Sequence, residues 1–181
     1  MMIYVVRHGE IPSNVDGIVN ARNNQCLTDR GIAQCEQLFE KYRNIKFDVC
    51  FTSNFNRTIA TAEIITKKRC PIIVTDLLQE RDCGGFEGRP ESDFPDDYFS
   101  LSKNLMIVDG ESMQEFVDRV HSFLKCIIEE RKYEAILIST HSGVCRAIKL
   151  YFDNVKFNDF RSVEINNCDM QCYFVETCNN E

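Results

Sequence analysis

Two histidines of this chain directly follow predicted buried strands, the position at which α/β proteins carry their chemistry. The apolar run at residues 3–6 leads into Arg7-His8-Gly9-Glu10, and the apolar run at 135–139 leads, through one threonine, into His141. The chain has three histidines, so two of them at strand ends suggest a paired site. The third, His121, lies beside the apolar stripe of a predicted helix, and we interpret it as structural or exposed.

Other polar side chains would reach the same place if the loops after the strands converge. They are Asn14, Asn20, Arg57 and Glu80. Phosphoryl transfer gives each of these residue types a function. A neutral imidazole, that of His8, can attack phosphorus in line and form a phosphohistidine. The planar guanidinium groups of Arg7 and Arg57 suit the charged phosphoryl oxygens, and cations beside an imidazole disfavour its protonation.

Two further candidates supply a hydrogen bond and a proton. His141 is expected to donate to the phosphoryl oxygens and so to stabilise charge in the transition state. Glu80 is the candidate general acid that protonates the leaving alkoxide. Because the cations neutralise the phosphoryl group, no Mg²⁺ is required, and the sequence shows no obvious carboxylate cluster for one. We therefore expect no metal and no other cofactor.

Composition and charge limit the class of protein. The chain has 181 residues, 44% of them apolar and 27% charged, which favours one domain over residues 1–181. The net charge of −7 argues against a nucleic-acid or anionic-membrane partner. No apolar stretch approaches the length of a membrane span or a signal peptide, so we expect a cytoplasmic location. The ten cysteines include no C-x-x-C pair, and we interpret most as reduced apolar residues. The oligomeric state cannot be read from the sequence.

The elements that must position these residues alternate between strands and helices, which predicts an α/β fold with a largely parallel sheet. Thr28 is the predicted N-cap of a helix to Tyr42 with Ile32 on its inner stripe, and Ser53 or Asn54 is the predicted cap of the helix that carries Arg57. The predicted strands are 3–6, 48–52, 72–75, 135–139 and a closing hairpin of 163–165 with 170–175, and the later helices are 111–131 and 144–152.

Several sequence blocks resemble, in order, those of the histidine phosphatase (phosphoglycerate mutase-like) superfamily. The blocks are Arg7-His8-Gly9-Glu10 with Asn14, Leu27-Thr28-Asp29-Arg30-Gly31, residues 53–62 around Arg57, residues 78–88 around Glu80, Gly110-Glu111-Ser112, and residues 140–147 around His141. The resemblance implies a three-layer α/β/α sandwich. It further implies His8 as the phosphorylated residue, Glu80 as proton donor, and Arg7, Arg57 and His141 as the phosphate pocket. Asn14, Asn20 and Ser142 are the expected further contacts to phosphate or substrate, although Asn20 replaces a frequent glutamine and Ser142 a frequent glycine.

The superfamily contains hydrolases and mutases, and the sequence favours a phosphomonoesterase acting on a small metabolite. Mutases carry basic residues after the proton-donor loop, whereas residues 90–109 here hold one lysine, Lys103, against five acidic residues. We expect that acidic stretch to repel a bisphosphate. The blocks are most similar to the α-ribazole phosphatase and broad-specificity branches. Two alternatives stay open, an isomerase of the phosphoglycerate mutase type and a non-catalytic module that binds a phosphorylated ligand.

Overall fold

A computed structural model describes residues 1–100, 105–153 and 163–176. Its strands and helices alternate along the chain, as the sequence predicts, and four short 3₁₀ turns lie between β3 and α4. The elements are β1 (Met2–Arg7), α1 (Pro12–Asp16), α2 (Asp29–Tyr42), β2 (Val49–Thr52), α3 (Asn56–Thr66), β3 (Ile72–Val74), the 3₁₀ turns Asp76–Leu78, Gly84–Phe86, Glu91–Asp93 and Asp96–Phe99, α4 (Met113–Glu130), β4 (Ala135–Thr140), α5 (Ser142–Asp153) and β5 (Met170–Phe174).

The five strands form one sheet in the order β3-β2-β4-β1-β5. The first four strands are parallel, and β5 pairs antiparallel with β1. Parallel pairing brings carboxyl ends to the same edge, so Arg7 lies opposite Thr140, and Thr52 lies opposite Ser139. The residues that follow β1, β2 and β4 therefore meet at one edge of the sheet, where the two histidines were predicted to pair.

Helices cover both faces of the sheet because successive strand residues point to opposite sides. In β1, Ile3 and Val5 belong to a core cluster with α4 and α5, whereas Val6 belongs to a second cluster with α2 and α3. All three side chains are fully buried. The mostly parallel sheet and the three-layer α/β/α sandwich are thereby confirmed.

Capping residues fix where two of the helices begin. The Thr28 hydroxyl accepts from the Gly31 N–H at 3.0 Å, as predicted for α2. At α4, Ser112 and Glu115 form a reciprocal capping box, which satisfies two N–H groups of the first turn. His121 is half-buried in α4 and contacts the Ala147 carbonyl through Nε2, which agrees with a structural role.

Predictions about the stripe of α2 and the cap of α3 were wrong. Ile32 is 43% exposed, so it does not belong to the buried stripe of α2. The N-cap of α3 is Phe55 rather than Ser53 or Asn54. The Ser53 hydroxyl is 2.7 Å from that of Thr58 and 2.9 Å from His141 Nε2, so it serves the site instead. The Asn24 side chain, from the loop after β1, accepts the first N–H of the helix at 2.7 Å.

The predicted closing hairpin was also wrong, because residues 163–165 do not form a strand. Their carbonyl groups bind arginine side chains instead of a partner strand. Arg146 Nε donates to the Val163 carbonyl at 2.8 Å, and Arg7 Nη1 donates to the Ile165 carbonyl at 2.6 Å. The strand β5 pairs with β1, and the segment before it packs against the candidate site. Among the described helices, none combines the length and apolarity that crossing a membrane requires.

Candidate active site

A cavity of about 380 Å³ opens at the carboxyl edge of the sheet and is lined by most of the predicted site residues. These are Arg7, His8, Asn14, Asn20, Glu80 and Ser142. Arg57 and His141 do not line the cavity. Both are fully buried behind it, with the His8 and His141 rings 5.4 Å apart in a T-shaped arrangement. The structure thus brings all eight predicted residues into one site with two of them in a supporting layer.

One ring nitrogen of His8 is held by the backbone. Nδ1 is 2.8 Å from the Gly9 carbonyl oxygen, which can only accept, so Nδ1 carries the proton. In the part of the chain that the structure describes, Nε2 has no hydrogen-bond partner. A neutral His8 therefore keeps its lone pair on Nε2, the nitrogen that is free to react.

Burial and two cations keep His8 neutral. The pKa of His8 is well below its ordinary value, chiefly because burial penalises the charged ring, and secondarily because Arg57 and Arg7 lie nearby. The two cations were predicted from the sequence, whereas burial, the larger cause, is evident only in the structure. The imidazole is consequently unprotonated at neutral pH, as a nucleophile must be.

The Arg57 guanidinium is held by two backbone carbonyls and by His141. Nη1 donates to Asn23 and Nη2 to Ala21, both at 2.9 Å, and Nε donates to His141 Nδ1 at 3.3 Å. The Phe55 ring lies 4.5 Å from its central carbon. Burial lowers the pKa of Arg57 to about 10, and Glu80 and Glu87 partly oppose this shift. Among the described residues, three of the five N–H groups have partners and two have none.

The carbonyls that bind Arg57 belong to a segment fixed by one carboxylate, Glu87. Its Oε2 accepts from the Ala21 N–H at 2.9 Å, and its Oε1 accepts from the N–H groups of Arg22 and Asn23, both at 3.1 Å. Sequence analysis placed Glu87 in the proton-donor block but gave it no role. The carboxylate orients the segment whose carbonyls, in turn, orient the guanidinium.

Both ring nitrogens of His141 have protein partners. Nδ1 accepts from Arg57, so the proton of the neutral ring is on Nε2, which is 2.9 Å from the Ser53 hydroxyl. The pKa of His141 is well below its ordinary value because of burial first and then Arg57. A hydrogen bond from His141 to a phosphoryl group therefore requires Nε2–H to leave Ser53.

Asn167 is a site residue that sequence analysis did not identify. Its Nδ2 donates to the His8 carbonyl and to Asn14 Oδ1, both at 2.9 Å, and its side chain lines the cavity. The segment around it also holds Arg7 through the Ile165 carbonyl, while Arg7 Nε is buried without a partner. The only sequence signal was its place between the two strands of the predicted hairpin.

The Glu80 carboxylate lies at the first turn of α5 and accepts three donors. Oε1 accepts from the Arg81 N–H at 2.9 Å, and Oε2 accepts from the Gly143 N–H at 2.9 Å and from the Ser142 hydroxyl at 3.5 Å. A Cβ on Gly143 would lie 2.2 Å from Glu80 Oε1. A side chain at position 143 would therefore displace the Glu80 carboxylate from the Gly143 N–H that it accepts.

The cavity wall opposite the sheet is aromatic rather than acidic. Phe94, Tyr98 and Phe99 line it, whereas Glu91 is the one acidic residue of the 90–109 stretch with a described side chain that does so. Lys103 lies outside the described residues. The expected electrostatic repulsion of a bisphosphate by this stretch is therefore not supported, because its acidic side chains mostly do not line the cavity.

Asn20 and Arg81 each have a buried polar atom at this site that no described residue binds. Asn20 donates from Nδ2 to the Ser13 hydroxyl at 3.3 Å, but its Oδ1 has no partner. Arg81 Nη2 is likewise unpaired, although Nε donates to the Glu111 carbonyl and Nη1 to the Tyr98 carbonyl. Among the residues described, no group of three or more histidine, cysteine or acidic side chains could hold a metal ion.

Comparison with known proteins gives the same family as the sequence blocks. The family model of the histidine phosphatase superfamily (branch 1) matches residues 3–179. The chain is 30% identical over 152 residues to the "Adenosylcobalamin/alpha-ribazole phosphatase" of Escherichia coli (strain K12), covering 80% of this chain and 75% of that protein. It is 31% identical over 149 residues to the "Probable phosphoglycerate mutase GpmB" of Salmonella arizonae, covering 78% and 69%. The crystal structure of the α-ribazole phosphatase from Shigella flexneri superposes with a TM-score of 0.84 at 24% identity, covering 97% and 91%.

The chain belongs to the histidine phosphatase superfamily, branch 1. It is a phosphatase enzyme, which confirms the class that the sequence blocks implied.

Proposed function

We propose that the chain hydrolyses small phosphomonoesters without a metal ion, through a phosphohistidine on His8. The observation that carries the proposal is the bond between His8 Nδ1 and the Gly9 carbonyl at 2.8 Å. It fixes the tautomer whose lone pair is on Nε2, at a ring that lines the cavity and that burial keeps neutral. An imidazole in this state is ready to attack phosphorus without first losing a proton.

In the first step, His8 Nε2 forms a bond to phosphorus while the bond from phosphorus to the ester oxygen breaks. Glu80 gives its proton to that oxygen, which leaves as the alcohol. The N–H groups of Arg7 bind the phosphoryl oxygens, and the positive charge of the Arg57 guanidinium, which is buried behind the cavity, further stabilises their negative charge. His141 holds Arg57 through Nδ1, and its Nε2–H can exchange Ser53 for a phosphoryl oxygen.

In the second step, water attacks the phosphohistidine and the bond from nitrogen to phosphorus breaks. The Glu80 carboxylate takes the proton of the attacking water and is thereby restored for the next turnover. His8 returns to its neutral form with its proton still on Nδ1. Inorganic phosphate then leaves, and no metal takes part in either step.

The leaving group is best matched by a small molecule with an apolar face. Phe94, Tyr98, Phe99 and Phe116 line the cavity beside Glu80, and the cavity volume of about 380 Å³ suits a small ligand. The relative from Escherichia coli is named for α-ribazole. A phosphatase screen should therefore include α-ribazole phosphate together with sugar phosphates, phosphoglycerates and nucleotides.

One observation favours a second candidate, an isomerase of the phosphoglycerate mutase type. Arg81 and Arg146 both line the cavity, and Arg81 Nη2 is buried without a partner, so a second anionic group could bind there. Product analysis with 3-phosphoglycerate separates the two reactions, because hydrolysis releases free phosphate whereas isomerisation retains it.

The proposal is tested by following both the reaction and its intermediate. The wild-type enzyme should release phosphate from p-nitrophenyl phosphate in the presence of EDTA, and rapid quenching should trap an acid-labile phosphoprotein. His8→Ala should abolish both signals, whereas His121→Ala, at a histidine outside the site, should retain them. Full activity of His8→Ala would contradict the mechanism. So would a loss of phosphatase activity when EDTA is added to the wild-type enzyme. A non-catalytic binding module would give no phosphohistidine at all.

A further inference from the structure

Two cysteine sulfurs lie in contact beside the backbone of residues 7–9. Cys35, on α2, is fully buried, and its Sγ is 3.4 Å from that of Cys168, which is half-buried in the turn before β5. Of the cysteines in the described ranges, no other two have sulfurs within hydrogen-bonding distance of each other. A disulfide has an S–S distance of about 2.05 Å, so the two sulfurs must approach by a further ~1.4 Å to form one.

Both cysteines are connected to the backbone that carries His8. The Cys168 N–H donates to the Arg7 carbonyl at 3.0 Å, and its neighbour Asn167 donates to the His8 carbonyl at 2.9 Å. On the other side, Cys35 Sγ lies so close to Gly9 that a Cβ there would be 2.9 Å from it. The two cysteines therefore contact the Arg7–Gly9 backbone, and we expect a bond between their sulfurs to displace it.

We propose that Cys35 and Cys168 are a site of reversible oxidation, and that the disulfide between them inhibits the enzyme. A peroxide oxidises the more accessible Cys168 thiol to a sulfenic acid and is itself reduced to water or an alcohol. The Cys35 thiol then attacks the sulfenic sulfur, so that the S–S bond forms and water leaves. A thiol reductant returns both cysteines to the reduced state by disulfide exchange.

The inhibition follows from the displacement that the bond requires. Closing the S–S distance by ~1.4 Å moves the turn that holds the carbonyls of Arg7 and His8. A misplacement of about 1 Å at reacting groups reduces a rate by on the order of 100-fold. This consequence depends on the proposed function at His8, whereas formation of the disulfide does not.

The test uses the reduced wild-type enzyme treated with hydrogen peroxide. Peptide mapping under non-reducing conditions should reveal a Cys35–Cys168 link, with activity on p-nitrophenyl phosphate falling on the order of 100-fold and returning with dithiothreitol. Cys168→Ser and Cys35→Ala should resist the inactivation. Cys126→Ser, at an exposed cysteine on α4, should behave as the wild type does.

Each unfavourable result has a separate meaning. Absence of the linked peptide, or equal inactivation of Cys168→Ser, would overturn the proposal, as would a linked peptide with activity unchanged. Because Cys168 is only half-buried, its serine variant remains a valid test if Cys35→Ala does not fold. Reduced enzyme without phosphatase activity would instead refute the proposed function, and the peptide map would still decide whether the disulfide forms.

Discussion

Substitutions of Glu87 test whether a carboxylate outside the cavity positions Arg57. The carboxylate accepts three backbone N–H groups, and two carbonyls of the same segment accept the guanidinium, so the link runs through backbone alone. Glu87→Ala removes all three hydrogen bonds and leaves Arg57 chemically unchanged. Glu87→Gln keeps one oxygen, which can still accept from Arg22 and Asn23, but its NH₂ group cannot accept from Ala21.

The expected loss in kcat follows from the known effect of removing a hydrogen-bond donor. Removing a single donor to transition-state charge typically lowers kcat by ~10²–10³-fold. Glu87→Ala leaves the guanidinium present but imprecisely held, so we expect a smaller loss in kcat, roughly 10- to 100-fold, or about 1.4–2.7 kcal/mol. Glu87→Gln, which retains two of the three bonds, should lose only a few-fold. The expected order of activity is glutamate, then glutamine, then alanine.

The assay is steady-state hydrolysis of p-nitrophenyl phosphate, with a thermal melt of each variant to confirm folding at the assay temperature. Glu36→Ala is the matched control, since Glu36 pairs with Lys67 at the exposed surface. A double-mutant cycle with Arg57→Ala isolates the coupling. If Glu87 acts through Arg57, adding Glu87→Ala to the Arg57→Ala variant should lower kcat little further. An equal loss in both backgrounds, or wild-type kcat in Glu87→Ala, would refute the reasoning.

Two further predictions concern the proton donor and the buried histidines. Gly143→Ala should displace the Glu80 carboxylate. Hydrolysis of alkyl phosphates should then slow more than hydrolysis of p-nitrophenyl phosphate, because the nitrophenolate leaving group needs little protonation. The control is Gly85→Ala, where a Cβ meets nothing within 4 Å. Equal effects on both substrates would argue against a role in proton donation. The pKa values of His8 and His141 are lowered, so below pH ~6.5 the unfolded chain binds protons at these histidines while the native site does not. The free energy of unfolding should therefore decrease as the pH is lowered below ~6.5, by about 1.4 kcal/mol per pH unit for each histidine. Denaturant titrations should give a shallower dependence for His8→Gln than for the wild type, and identical slopes would contradict burial of a neutral ring.

The sequence predicted those parts of the fold that side-chain pattern decides. The runs at 3–6 and 135–138 are apolar because most of their side chains are buried against helices on the two faces of the sheet, and this identified them as buried strands. Thr28 was predictable because its hydroxyl is a local acceptor for the next turn. The cap of α3 was not, because its acceptor comes from Asn24 on a distant loop, while the nearby Ser53 faces His141.

The residues of the candidate site likewise include some that the sequence predicts and some that it does not. Residues with side-chain chemistry of their own, such as His8 and Glu80, could be predicted from their types and their place after a strand. Asn167 could not be predicted, because its side chain donates to the main-chain carbonyl of His8. Every residue has such a carbonyl, so no pattern of side chains indicates which one is bound. The hairpin error has the same cause, since the carbonyls of residues 163 and 165 bind arginines rather than a strand.

The use of carbonyl groups also explains how the site stays cationic. Four arginines at the site, Arg7, Arg57, Arg81 and Arg146, each donate to main-chain carbonyls. In the described part of the chain, none of them forms an ion pair with a carboxylate, whereas Arg22 and Arg119 do. A carboxylate partner would neutralise each guanidinium and compete with phosphate for its N–H groups. Carbonyl dipoles orient the cations without cancelling their charge, so the same arrangement that keeps His8 unprotonated leaves the positive charge available to the phosphoryl group.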